Sequence, residues 1–293
     1  MTTTQDMRAH VMCVGMGCLD NRLFVERFPP VRRRERVPQR RDALGGPASV
    51  GAVAVAQLGG KASVWGRRGD DSTGDQIEAL LRAGGVDTCG FRVFPGCTSP
   101  RCEVFIRPDG ERFLFPSWGE GIPMDAEWLP AEAIDSADAL LIDGRWPEGG
   151  LRLAKQARER GIPIVLDFDL DTPRVWELAR LATHVIADED MTQTHGGVKG
   201  LLSRIERLGP WGAVTLGEKG VAFGSERMPA FPVQVVDSTG AGDVLHGAFA
   251  LALAQGREEV GALRFASAAA AQRCALGVVP RLDQVVGLLN ESK

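Results

Sequence analysis

The chain has 293 residues, 44% hydrophobic and 25% charged, with a formal net charge of −4 that gives no global pull toward nucleic acid or anionic lipid. An anionic ligand therefore has to be met by positive groups focused at one place. Six cysteines without a CxxC pair or a Cys/His cluster argue against zinc and a disulfide framework, and no apolar run approaches the roughly 20 residues of a bilayer span. The expectation is a soluble, cytoplasmic protein with reduced, mostly buried thiols.

In chain order, the apolar run 11–19 carries glycines and no cleavage site, so it reads as a buried first strand over 11–16 and not as a signal segment. Segment 22–41 follows with β-type alternation and the basic run Arg32-Arg-Arg-Glu-Arg, joined by Arg40 and Arg41. That run is short and lacks interleaved aromatics, and reads as a solvated edge, not a nucleic-acid patch. A helix begins at Pro47, whose missing N–H costs nothing in a first turn. Strand 63–66 and a helix near Thr73 come next. Segment 91–116 returns to period-two alternation (Phe91-Arg-Val-Phe, Arg101-Cys-Glu-Val-Phe-Ile, Arg112-Phe-Leu-Phe) with a Pro108-Asp109-Gly110 turn. Segments 22–41 and 91–116 are read together as a small antiparallel sheet, a lid over a ligand cleft.

Further on, strands 139–143, 164–167, 184–187 and 213–216 alternate with helices starting near Gly150, Val175, Gly197, Ala241 and Val260. Alternation of this kind marks βαβ units and a mostly parallel sheet. Asp167, Asp169 and Asp171 at the second of these strands and beyond read as exposed carboxylates capping the next helix. With no repeat or linker, residues 1–293 form a single α/β domain with a lid.

The stretch Val235-Val-Asp-Ser-Thr-Gly-Ala-Gly-Asp-Val-Leu-His-Gly-Ala-Phe-Ala carries the chemistry. Gly240, Ala241 and Gly242 have almost no side-chain bulk, so their N–H groups can approach an anion at a helix N-terminus. Asp243 then sets a carboxylate beside that anion hole, where phosphoryl transfer needs an acceptor for a hydroxyl proton. His246 shares a helix face with Asp243 and is assigned packing or hydrogen bonding behind it. No Gly-x-x-x-x-Gly-Lys-Ser/Thr string occurs, which excludes a Walker-type site.

This string resembles the C-terminal signature of the ribokinase (PfkB) family of carbohydrate and nucleoside kinases, with Ser238 where Thr is usual. Gly45-Gly-Pro-Ala-Ser-Val-Gly-Ala-Val-Ala-Val-Ala-Gln-Leu-Gly, Gly66-Arg-Arg-Gly-Asp-Asp-Ser-Thr-Gly and Val214-Thr-Leu-Gly-Glu-Lys-Gly extend the likeness through the chain. The resemblance implies a ribokinase-like three-layer α/β sandwich with a mostly parallel central sheet and a β-sheet lid, using ATP and Mg2+ and admitting a monovalent cation. By the same likeness Asp243 is the base, Gly240, Ala241 and Gly242 form the anion hole, and Asp20, Gly45 and Gly46 meet the sugar. Thr215, Gly217 and Gly220 fall on the nucleotide side. Ser49 stands where the family has a sugar-contacting Asn. The family's Asn-x-x-Glu motif aligns with Ala187-Asp-Glu-Asp, leaving Asp190 as a shortened, water-mediated metal contact.

Within the family the chain is similar to the sulfofructose kinase branch, near the ketohexokinases. This rests on Asp143-Gly-Arg-Trp-Pro-Glu-Gly, Val165-Leu-Asp-Phe-Asp and Asp243-Val-Leu-His-Gly-Ala. Arg145, and Arg34 from the lid, are then expected to grip a terminal anion of the substrate by charge-assisted bonds. The expected reaction converts 6-deoxy-6-sulfofructose to its 1-phosphate. A neutral-sugar or nucleoside kinase is the alternative, and a silent sugar-binding regulator the reading from another class. Edge strands in the lid make a homodimer the expected assembly.

Overall fold

The computed structural model describes residues 8–292 apart from 32, 35 and 110. Arg32 and Glu35 of the basic run, and Gly110 of the Pro108-Asp109-Gly110 turn, lie outside the described residues.

The chain opens with β1 (His10–Gly15), β2 (Cys18–Phe24), β3 (Gln39–Gly45), α1 (Pro47–Gln57), β4 (Lys61–Gly69) and α2 (Ser72–Ala83). It continues through β5 (Asp87–Phe94), β6 (Arg101–Ile106), β7 (Arg112–Ser117), β8 (Ala139–Ile142), α3 (Pro147–Glu159), β9 (Ile164–Phe168) and α4 (Pro173–Leu181). It ends with β10 (His184–Ala187), α5 (Gly197–Glu206), β11 (Trp211–Thr215), β12 (Val221–Phe223), β13 (Glu226–Met228), α6 (Ala241–Ala254), α7 (Glu259–Leu276) and α8 (Leu282–Glu291).

Nine strands form one sheet in the order β13-β12-β11-β10-β9-β8-β1-β4-β5. From β5 to β11 every pair is parallel, and only β12 and β13 run antiparallel at one edge. Strand periodicity sorts the core into two layers. Val11, Cys13, Leu141, Val165 and Ile186 face the layer of α1, α2, α6, α7 and α8. Met12, Val14, Leu140, Ile142, Leu166 and Val185 face α3, α4 and α5. Covering both faces explains why the central strands read as unbroken apolar runs instead of alternating ones.

The second sheet has four strands in the order β3-β2-β6-β7. Two antiparallel hairpins, β2–β3 and β6–β7, join through a parallel β2–β6 pair. One expectation changes here. Phe91-Arg-Val-Phe belongs to β5 of the large sheet, paired in parallel with β4, because α2 supplies the crossover that returns the chain beside β4. β2 begins three residues after β1 ends, so the small sheet rises from the carboxyl edge of the large one. Crevices at that edge are where open α/β sheets hold ligands.

Candidate active site

Local sequence shapes the start of α6. Gly240 is its N-cap in the left-handed region (φ 77°), where a β-carbon is disfavoured, and no side chain caps the helix. A β-carbon on Gly242 would meet no protein atom within 4 Å, so its backbone stands open to a ligand. Asp237 holds the turn from below: it accepts from Thr239 N at 2.8 Å, from Arg22 Nη1 at 2.9 Å and from Arg273 Nη2 at 3.3 Å. Arg273 also donates to the Asp237 carbonyl at 3.1 Å.

In front of this turn lies a cavity of about 520 Å3 between the two sheets. Alternate residues of the small sheet face it: Cys18, Asp20 and Arg22 of β2, Arg41 and Ala43 of β3, and Arg112, Leu114 and Pro116 of β7. Gly45 pairs with Cys18 and lies diagonally across from Asp20, and a β-carbon there would lie 2.2 Å from Asp20 Oδ1, so this carboxylate can take its place only beside glycine. Gly46 has a positive φ of 88° and packs its backbone on Met16 O. Burial pushes Asp20 up to about 6, against the pull of Arg22 and with help from Asp243 and Asp237.

The floor is built from residues that follow the carboxyl ends of β8 and β9. Asp143, fully buried, accepts backbone N–H bonds from Met16 (2.8 Å), Ala48 (3.2 Å) and Arg145 (2.8 Å), tying β1, α1 and β8 together. Arg145 is ion-paired with Asp169. Asp243, partly buried at the first turn of α6, is raised above the usual carboxylate range by burial; His246 and Arg145 oppose this, and Asp169 and Asp143 add to it.

Asp20, Gly45, Gly46, Arg145, Gly240 and Asp243 are brought together around the cavity. Ala241 and Gly242 continue the same turn. Other expected contacts fall elsewhere. Ser49 is fully buried on the inner face of α1, with its hydroxyl 3.0 Å from where a Gly17 β-carbon would stand, and its short side chain does not reach the cavity. Arg34 is exposed in the β2–β3 connection and is not part of the wall. Arg145 is present, but its charge is already matched by Asp169.

Asp167 and Asp169 do not cap α4. Asp167 is buried beside His246, and the cap is Thr172, which accepts from Val175 N at 3.3 Å. Thr215 ends β11, two strands along the same edge from β9, with its hydroxyl 3.3 Å from Ala187 O, and Gly217 and Gly220 follow it. Asp190 is exposed and accepts from Gln193 at 3.1 Å. Sequence reasoning missed Arg22, Arg41, Arg112 and Arg273; the period of two from Asp20 would have found Arg22.

Comparison with known proteins agrees with this architecture. Residues 8–276 match the model of the pfkB family carbohydrate kinases. Ribokinase of Bacillus subtilis (strain 168) is 31% identical over 259 residues, covering 84% of this chain and 87% of that protein. Fructokinase of Solanum tuberosum is 32% identical over 235 residues, covering 70% and 69%. The structure of Arabidopsis thaliana ribokinase complexed with ribose and ATP superposes with a TM-score of 0.82 at 26% identity, covering 96% of this chain and 98% of that one.

Proposed function

The chain belongs to the pfkB family of carbohydrate kinases, ATP-dependent phosphotransferases, and from that premise we propose how its own residues act and on what sugar. The substrate lies in the cavity with one hydroxyl at Asp243 and others at Asp20. Asp243 takes the hydroxyl proton, the freed oxygen bonds to the γ-phosphorus, and the bond to the β-phosphate oxygen breaks to release ADP. N–H groups of Gly240, Ala241 and Gly242 bind the charge that moves through the transferred group. Thr215, Gly217 and Gly220 hold the nucleotide further along the edge.

Among the described residues no three His, Cys, Asp or Glu side chains converge to hold a metal ion. A magnesium ion would instead be carried by nucleotide phosphates and water, with Asp190 the residue that would meet it through water. Bound there, the ion would neutralise phosphate charge.

For the sugar we propose a ketohexose-type substrate with an anionic group remote from the reacting hydroxyl, 6-deoxy-6-sulfofructose phosphorylated at its 1-position being the best candidate. The observation that carries this is the pair Arg41 and Arg112, which line the cavity from opposite edges of the small sheet and, among the described residues, have no ion pair, whereas Arg22 and Arg273 share Asp237. They take the role the sequence suggested for Arg34. A neutral sugar such as fructose is favoured instead by the Arg145–Asp169 pair, which matches the charge of Arg145 on the floor.

A panel of ribose, fructose, fructose 6-phosphate, 6-deoxy-6-sulfofructose and nucleosides, assayed with ATP and magnesium and with or without potassium, decides between them. Highest kcat/KM on a neutral sugar would end the anionic reading. We also propose a cytoplasmic homodimer paired through the small sheet, supported by exposed Leu114, Phe115 and Trp118 on and next to edge strand β7. A sedimentation mass of one chain would contradict the dimer.

A further inference from the structure

The ring of His246, buried on α6, has both nitrogens against acceptors. Nδ1 is 2.7 Å from Gly242 O and Nε2 is 3.1 Å from Ile186 O. Carbonyl oxygens cannot donate, and a neutral imidazole has one N–H only. In either neutral tautomer a ring lone pair would face a carbonyl lone pair away from water, a costly arrangement. The doubly protonated ring satisfies both contacts, and Asp167 Oδ1, 3.6 Å from Nε2, supplies the counter-charge.

We propose that His246 is a buried imidazolium behind the catalytic carboxylate and acts as a positioning residue, offsetting Asp167 and Asp243 so that Asp243 stays ready to accept a proton. The proposal rests on the reading of Asp243 as the base. His246 follows Asp243 by three residues and so lies on the same face of α6.

The charged groups facing the ring are Asp243 from its own helix, Asp167 from β9 and Asp188 after β10. Arg145, Asp169 and Asp143, from the ends of β8 and β9, act on Asp243 itself. α1 packs on α6 but has no titratable residue. The charged groups of α7 are engaged elsewhere: Glu259 with His184, Arg264 with Ser292 O and Arg273 with Asp237. Burial alone would lower the ring's pKa, and Asp167, the two carbonyls and Asp243 together raise it above the ordinary histidine value. Burial drives Asp167 the other way, and His246 pulls it back. His246 thus offsets burial and a cluster of carboxylates that would otherwise raise Asp243 further.

The test uses the whole enzyme labelled with 15N-histidine. There are four histidines, and the His246 signal is the one lost in His246→Asn, with His246→Gln as a second variant. At about pH 7.5, where an ordinary histidine is mostly neutral, His246 should carry protons on both ring nitrogens. A single N–H tautomer there would overturn the proposal, and the assignment needs only one of the two variants to fold.

In His246→Asn the acid limb of kcat should move up by about one pH unit, because removal of a nearby positive charge makes Asp243 harder to ionise. KM values for sugar and ATP should stay within about twofold, since no ligand contact is removed. A role in packing alone would lower kcat equally across pH, and an unmoved acid limb would also overturn the proposal. If Asp243→Asn retains turnover, the base reading has failed instead, and the ring's charge is still reported separately by its nitrogens.

Discussion

Arg22 on β2 donates to Asp237 at 2.9 Å with both side chains largely buried, so one ion pair joins the small sheet to the turn that begins α6. The small sheet that walls the cavity and the turn that begins α6 are thereby held in one register. Removing one partner of a buried pair costs about 3–5 kcal/mol. Because Arg273 remains on Asp237, Arg22→Ala is expected near the lower end, about 3 kcal/mol by urea titration at neutral pH. Wild-type stability in this variant would show that the pair is dispensable.

Gly242 and Gly45 should respond differently to a side chain. Space is open at Gly242, so Gly242→Val should keep its melting temperature while ATP-dependent turnover collapses and sugar binding largely survives. Gly45→Ala drives a methyl into Asp20 and should lose sugar affinity first. Calorimetry with each ligand on both variants checks this. Equal loss of both ligands in Gly242→Val, with a lower melting temperature, would mark that glycine as a packing residue.

The raised Asp20 makes sugar binding depend on pH in a definite direction. Its free-enzyme value of about 6 means the carboxyl is protonated below that pH, whereas sugar hydroxyls donate best to the ionised form. KM for the sugar should therefore be level above about pH 7 and rise below about pH 6, by up to about tenfold per unit. Asp20→Asn should raise KM everywhere and remove the slope. A flat wild-type KM between about pH 5 and pH 8 would contradict the assignment.

Arg145 and the pair Arg41 and Arg112 should separate by substrate. Arg41→Ala or Arg112→Ala is expected to raise KM about 10- to 150-fold for an anionic sugar, the equivalent of one charge-assisted bond, and little for fructose. Arg145→Ala should depress all sugars alike and shift the acid limb of kcat upward, since Arg145 serves Asp169 and Asp243. Selectivity confined to Arg145→Ala would reverse these roles.

The fold was legible because βαβ alternation and the small-residue turn at Gly240 are local signals. Strand 184–187 and the starts at Pro47, Gly197 and Ala241 fall where the residues place them. Local patterns cannot say which strand is whose neighbour, so the alternation of Phe91-Arg-Val-Phe fits the small sheet as well as the large one, although β5 pairs with β4. The same limit applies to charges. Nothing near Arg145 in sequence shows that Asp169 pairs with it, and sequence distance from Asp20 does not show that Arg34 stays outside the cavity wall. Ser49 stood where the family pattern put a sugar contact, yet the α1 face it occupies is buried.

The account turns on Asp243, and turnover of Asp243→Asn with the preferred sugar tests it most directly. The variant keeps the shape of the side chain and removes the proton acceptor. It should fold, bind ATP and sugar, and lose about 10²–10⁴ in kcat. A folded Asp243→Asn enzyme turning over at near the wild-type rate would contradict the mechanism.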